Sequence, residues 1–298
     1  MKSKTTDQLV KKRLLIYLAF SFLLVWIPTI VFQARGGGYE SSAMQSILAY
    51  SMLCPSIGML FTRWMTGEGF SMKGEDSLKL GIDFSCKKWI WYVAAMLIPV
   101  VYYELGMLLF YLILPKSFDP SMPGELGIPA NTVWMYPIAV ITQTCMFSVG
   151  ALGEEAGWRG YMMPKLEELF GIKRAILIGG VIWGVWHFPA IYAGHNFGTG
   201  YFGAPWTGFL EFTLSTIFMG AILTYLTKKS GSVWPAAFLH AVNNGMPSIL
   251  ALYCREERLT GIWAQSPVNI LIREIPLFLI GGMAIAALCR KPAELPKN

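Results

Sequence analysis

Residues 14–34 read LLIYLAFSFLLVWIPTIVFQA, an uncharged run directly after Lys11, Lys12 and Arg13. At about 1.5 Å per residue, a helix of this length crosses the ~30 Å hydrocarbon core of a bilayer. A cleavable leader would have a shorter apolar centre of roughly 7–15 residues and a small-residue processing site, so this run is expected to be retained as a helix. Comparable runs follow near 41–62, 89–114, 131–153, 175–192, 207–227, 231–253 and 270–289, which predicts about eight transmembrane helices.

Composition points the same way. Hydrophobic residues make up 54% of the 298 and charged residues 14%, against roughly 25% charged in soluble domains, and the mean hydropathy is +0.48. A soluble globule cannot hide that much apolar surface, and a disordered chain would be far more polar. The 30 Gly show no period, which excludes collagen. Cys54, Cys86, Cys145, Cys254 and Cys289 are scattered without CxxC spacing and read as small packing residues. The expected fold class is an all-α integral membrane protein, a single polytopic domain over 1–298, with the helices enclosing an intramembrane polar site.

A net charge of +6 does not point to nucleic acid, because the cations lie between apolar runs rather than on one face. Cytoplasmic loops retain Lys and Arg during insertion. With the N-terminus inside, every one of the 24 Lys and Arg falls in an inside segment except Arg35, Lys116, Arg255, Arg258 and Arg273. Both termini are therefore expected to be cytoplasmic. The stretch near 63–88 reads as a cytoplasmic loop.

An ionisable group at the bilayer centre costs at least ~2.5–3.5 kcal/mol, so the few inside the apolar runs carry the information. They are Glu104, Glu154, Glu155, Arg159, His187, Glu211 and His240. Glu104 and Glu211 fall nearer the outer surface, where a carboxylate reaches water. If the fourth helix continues through Glu154 to about Phe170, ending before Gly171, then Glu154 lies about 16 Å below Lys165 along the helix axis. On the same scale His187 lies about 21 Å from Lys173, and His240 about 16 Å from Lys229. One carboxylate and two imidazoles from three helices thus reach the midplane. Glu155 and Arg159 are i,i+4 with the acid first, the favourable order for an ion pair, and adjacent glutamates point about 100° apart, so Glu154 faces elsewhere. His240 and Asn244 share one helix face, as do Trp183 and His187.

Glu154-Glu155-x-x-x-Arg159, Trp183-x-x-x-His187 and His240-x-x-x-Asn244, in that order and separated by 33 and 53 residues, resemble the three motifs of the CAAX protease and bacteriocin-processing (Abi) family of intramembrane proteases. The resemblance covers about 130–255. One departure is Trp183, where the family commonly has Phe; the larger ring is expected to reshape the pocket beside His187. The resemblance implies an endopeptidase of the type II CAAX prenyl kind in the membrane, of a bacterial plasma membrane on this reading. Its substrate would be a membrane-tethered peptide or lipidated protein, either a prenylated CAAX protein or a bacteriocin or signalling precursor.

The residues suggest their own chemistry. Glu154 is placed to act as general base on a water oriented by His187, while His240 and Asn244 donate to the oxyanion, with Glu155 and Arg159 holding the backbone that aims Glu154. A single divalent ion such as zinc on Glu154, His187 and His240 is the competing arrangement, since one carboxylate and two imidazoles form a known catalytic zinc set. The sequence does not choose between no cofactor and one metal. Two non-enzymatic readings stand beside these: a membrane scaffold, immunity or sensor-regulator protein using the cluster for packing, and a transporter using it to relay protons. The expected partners are membrane lipids and the tethered substrate, and no nucleic acid.

Overall fold

The computed structural model describes residues 4–71, 77–259, 263 and 266–290. Of the cations that set the expected orientation, Lys2, Lys73, Lys291 and Lys297 lie outside the described residues. Among the described residues the chain is helical throughout, with one isolated bridge between Phe118 and Cys254. The helices are α1 Lys4–Ala34, α2 Ser42–Ser51, α3 Cys54–Thr66, α4 Trp89–Ile113, α5 Met122–Glu125, α6 Tyr136–Met146 and α7 Val149–Gly157. They continue with α8 Met163–Trp186, α9 Phe188–Ala193, α10 Trp206–Ser230, α11 Trp234–Asn244 and α12 Pro267–Cys289. A π-helical turn, Trp158–Met162, joins α7 to α8.

Five helical runs among the described residues are long and apolar enough to cross a membrane, six if α2 and α3, bent by 44°, count as one span. The difference from eight has a local cause. The run near 231–253 contains α11, only 11 residues long, which stops at Asn244. Met246 then takes a φ of +50° ahead of Pro247, and a residue before proline is turned away from helix. The run near 131–153 is interrupted at Phe147–Ser148, which divides α6 from α7. The helix carrying Glu154 does continue through the π turn into α8, whose backbone breaks at Gly171 with φ +74° and ψ 160°.

Packing follows a closed circuit: α1 on α3, α3 on α7, α7 on α11, α11 on α4, α4 on α12, α12 on α10, α10 on α8, and α8 back on α1. Helices in lipid gain little from hiding apolar surface against one another, so close approach through small residues matters. Gly180 and Gly184, one turn apart on α8, face α10. A Cβ at Gly180 would lie 2.5 Å from the Ile217 Cα, and one at Gly184 2.8 Å from the Thr213 Cα. Gly180→Ala therefore separates α8 from α10, with an expected cost of about 1–3 kcal/mol, the range for overpacking. A lowered thermal midpoint of the detergent-solubilised protein is the readout, and an unchanged midpoint would contradict so tight a contact.

The two ends of the bundle are tied by ion pairs. At the end bearing the N-terminus, Glu68 receives Arg13 (3.3 Å), Lys165 (2.8 Å) and the Tyr161 hydroxyl (2.7 Å), joining α1, the chain after α3 and α8. At the other end, Asp119 accepts from Ser121 Oγ (2.7 Å) and backbone N–H, and pairs with Arg255 (2.6 Å) and Arg258 (2.5 Å). The Ser121 hydrogen bonds, then the two guanidinium groups, hold the Asp119 carboxyl well below the usual carboxylate range. A depressed folded-state value contributes stability that is complete above the unfolded value of about 4 and lost as pH falls toward the folded one. The difference in thermal midpoint between the native protein and Asp119→Asn should hold steady above about pH 4 and shrink below it; a gap growing with acid would reverse the sign.

Candidate active site

The site is assembled by α7, the π turn, the end of α8 and the short α11. The π turn carries Trp158 and Arg159, four residues beyond Glu154 and Glu155, and its wider winding is the kind of local insertion that recurs at functional sites. Trp158 Nε1 donates to Glu154 Oε2 (3.3 Å) and Arg159 Nη1 to Glu155 Oε1 (3.1 Å). The expected i,i+4 pair is therefore present, and Glu154 faces elsewhere.

Glu154 and Glu155 are 3% and 0% exposed, which makes their partners decisive. A second indole, Trp183 Nε1 on α8, donates to the same Glu154 oxygen (3.0 Å), and Oε1 carries no hydrogen bond among the described residues. Glu155 Oε1 also accepts from His240 Nδ1 (2.8 Å), so Glu155 joins α7 to α11 through Arg159 and His240 together. Its second oxygen is buried without a hydrogen-bond partner among the described residues.

Trp183 is the hub. Its ring centroid lies 6.0 Å from that of His187 and 5.4 Å from that of His240, while the Arg159 guanidinium sits 4.0 Å over its face. Glu154, His187 and His240 are thus gathered around one indole. His187 Nδ1 lies 2.9 Å from the Trp183 carbonyl, which can only accept, so Nδ1 bears the proton and Nε2 is the free acceptor. Phe212 of α10 closes the other side of His187, centroid to centroid 4.6 Å.

Asn244 stands apart. It lies one turn beyond His240 at the exposed end of α11, and its hydrogen bond is to Asn243, not to His240. Asn243 is held by Tyr102 and Tyr103 of α4. Glu104 accepts from the backbone N–H of Ile249 (2.6 Å) and Leu250 (3.2 Å) and from Ser248 Oγ (3.0 Å), fixing the chain after α11. Glu211, expected near water, is instead buried (3% exposed), with the Ser215 hydroxyl donating to it (3.0 Å) and to Glu274 of α12.

Among the described residues no three His, Cys, Asp or Glu side chains converge as metal ligands. Two indole N–H groups occupy the Glu154 Oε2 and the imidazole Nδ1 atoms are committed to a carbonyl and to Glu155, which leaves Glu154 Oε1 and the two Nε2 atoms facing the site. What the sequence left unassigned were the donors. Trp158 sits at i+4 from Glu154, and Trp183 is placed by its motif only beside His187.

Residues 132–246, which contain the three motifs, match the family model described as type II CAAX prenyl endopeptidase Rce1-like. Over this segment the chain is similar to the Rce1-like family. CAAX prenyl protease 2 of Methanococcus maripaludis is 33% identical to the chain over 106 residues. That match covers 35% of the chain and 39% of the relative, so it spans less than half the length of either. The ends of the Rce1-like segment fall just before α6 and just after α11. The helices α1, α3, α4 and α12, which complete the packed circuit, lie outside it.

Proposed function

We propose that this chain is an intramembrane endopeptidase that hydrolyses a peptide bond in a membrane-tethered substrate, a prenylated CAAX protein foremost. The observation that carries this reading is the Trp183 indole, which draws Glu154, His187 and His240 to one point. Glu154 takes a proton from a water whose position His187 Nε2 fixes, and the resulting hydroxide attacks the scissile carbonyl carbon. His240 has Nδ1 committed to Glu155, so it meets the substrate through Nε2, a donor when the ring carries both protons. That N–H and the Asn244 carboxamide stabilise the oxyanion. As the tetrahedral carbon collapses, the C–N bond breaks and Glu154 returns its proton to the leaving amine. Glu155 and Arg159 hold His240 and the turn beneath Glu154.

The bias of Lys and Arg supports cytoplasmic termini, and a bacterial plasma membrane is the setting this reading adopts. The test is cleavage by the purified protein in lipid vesicles, followed by mass spectrometry. The probes are a farnesylated peptide ending in a CAAX sequence, its unprenylated twin and a bacteriocin-leader peptide. Release of the C-terminal tripeptide from the farnesylated probe, undiminished by chelators, is expected. Cleavage abolished by a chelator and restored by one divalent ion would replace the metal-free mechanism, and no cleavage of any probe would favour a scaffold.

A further inference from the structure

Asn243, the neighbour of Asn244, is held from α4, a helix that the matched segment does not include. Tyr102 Oη lies 2.5 Å from Asn243 Oδ1, and Tyr103 Oη lies 3.0 Å from the Asn243 main-chain oxygen and 3.3 Å from Oδ1. Tyr102 is 2% exposed, and the two rings pack with centroids 5.0 Å apart, so the phenols are held where they stand. With its carbonyl oxygen occupied by phenolic donors, the Asn243 carboxamide turns its N–H groups the other way. Nδ2 then donates to Asn244 Oδ1 (3.3 Å). Each step has a direction, because a carboxamide has one accepting end and one donating end. Since Asn244 Oδ1 accepts from Asn243, its own Nδ2 is the end left to donate elsewhere.

Resting on the endopeptidase reading above, we infer that Tyr102, Tyr103 and Asn243 are positioning residues that hold Asn244 with its N–H donors toward the developing oxyanion. A reversed carboxamide would present a lone pair to negative charge, repelling what it should stabilise. Loss of one oxyanion donor is worth about 10²–10³ in kcat, and the relay decides whether that donor is presented. Glu104 next to the two tyrosines grips residues 248–250, so α4 holds the chain on both sides of Gly245.

The test is a kinetic cycle on the farnesylated CAAX peptide in vesicles. Asn243→Asp keeps acceptors for both phenols and removes the N–H that reaches Asn244. It should lower kcat about 100-fold with KM unchanged. In an Asn244→Ala background, Asn243→Asp should cost almost nothing more, because the group it orients is gone. A merely structural role predicts the same fold loss in both backgrounds, and that result would overturn the relay. Should Asn243→Asp fail to fold, the double change Tyr102→Phe with Tyr103→Phe serves in its place, with the same expectation. Wild-type cleavage that Glu154→Gln abolishes but Asn243→Asp leaves intact removes the relay alone, whereas a wild-type protein that cleaves nothing removes both proposals.

Discussion

Glu154→Gln leaves a protein that inserts and folds but no longer cleaves. Glutamine matches the shape of glutamate, and its amide oxygen still accepts from the Trp158 and Trp183 indoles, so the contacts that seat residue 154 survive. What is lost is the capacity to take a proton from water. General-base catalysis contributes typically 10²–10⁴, so a fall of at least about 10² in kcat is expected. The thermal midpoint should change little, because both indole contacts to residue 154 are kept. Activity above about a tenth of wild type would remove Glu154 from the chemistry, since so small a loss lies below the range for a general base.

The second large effect is on stability. Glu155 is fully buried and is the common acceptor for Arg159 and His240, so Glu155→Leu leaves a guanidinium inside the protein without its counter-ion. Breaking a buried pair from one side costs about 3–5 kcal/mol, a large share of the stability of an ordinary domain. The single variant should accumulate poorly and melt early. Replacing both partners, Glu155→Leu with Arg159→Leu, removes the stranded charge along with its partner and should recover most of the midpoint. It should not recover cleavage, because His240 Nδ1 still lacks the carboxylate that favours the doubly protonated ring. Recovery of both would show that Glu155 serves folding only; recovery of neither would point to a role for the Arg159 guanidinium stacked over Trp183.

Much of this was legible from residue spacing. The run 14–34 and its successors identify a helical membrane protein because lipid leaves a backbone few other solutions. The Glu155–Arg159 pair, the separate facing of Glu154 and the break at Gly171 all follow from a period of 3.6 and from glycine's access to positive φ. The number of spans does not follow, because a hydropathy window sees apolar residues and not where a helix stops. The stretch after Asn244 stays apolar enough to count, yet Pro247 and the left-handed Met246 end the helix. Indole N–H groups were equally hidden, because a tryptophan in an apolar run looks like packing until a carboxylate lies beside it. Tyr102 reaches Asn243 across 141 residues, a pairing that no local pattern announces. Glu211 was misplaced for the converse reason: its partners Ser215 and Glu274 satisfy it without water.

The brevity of α11 bears on how the protein is made. Its 11 residues rise about 16 Å, roughly half the hydrocarbon thickness, and its second half carries His240, Asn243 and Asn244. Such a segment is a poor candidate for release into lipid on its own during synthesis, because its end would expose bare peptide groups to the acyl chains. Its acceptors and donors are supplied by Glu155 and the α4 tyrosines, both synthesised earlier. Assembly of the bundle is therefore ordered: the ribosome must have delivered α4 and α7 before α11, which packs on both, has anywhere to settle.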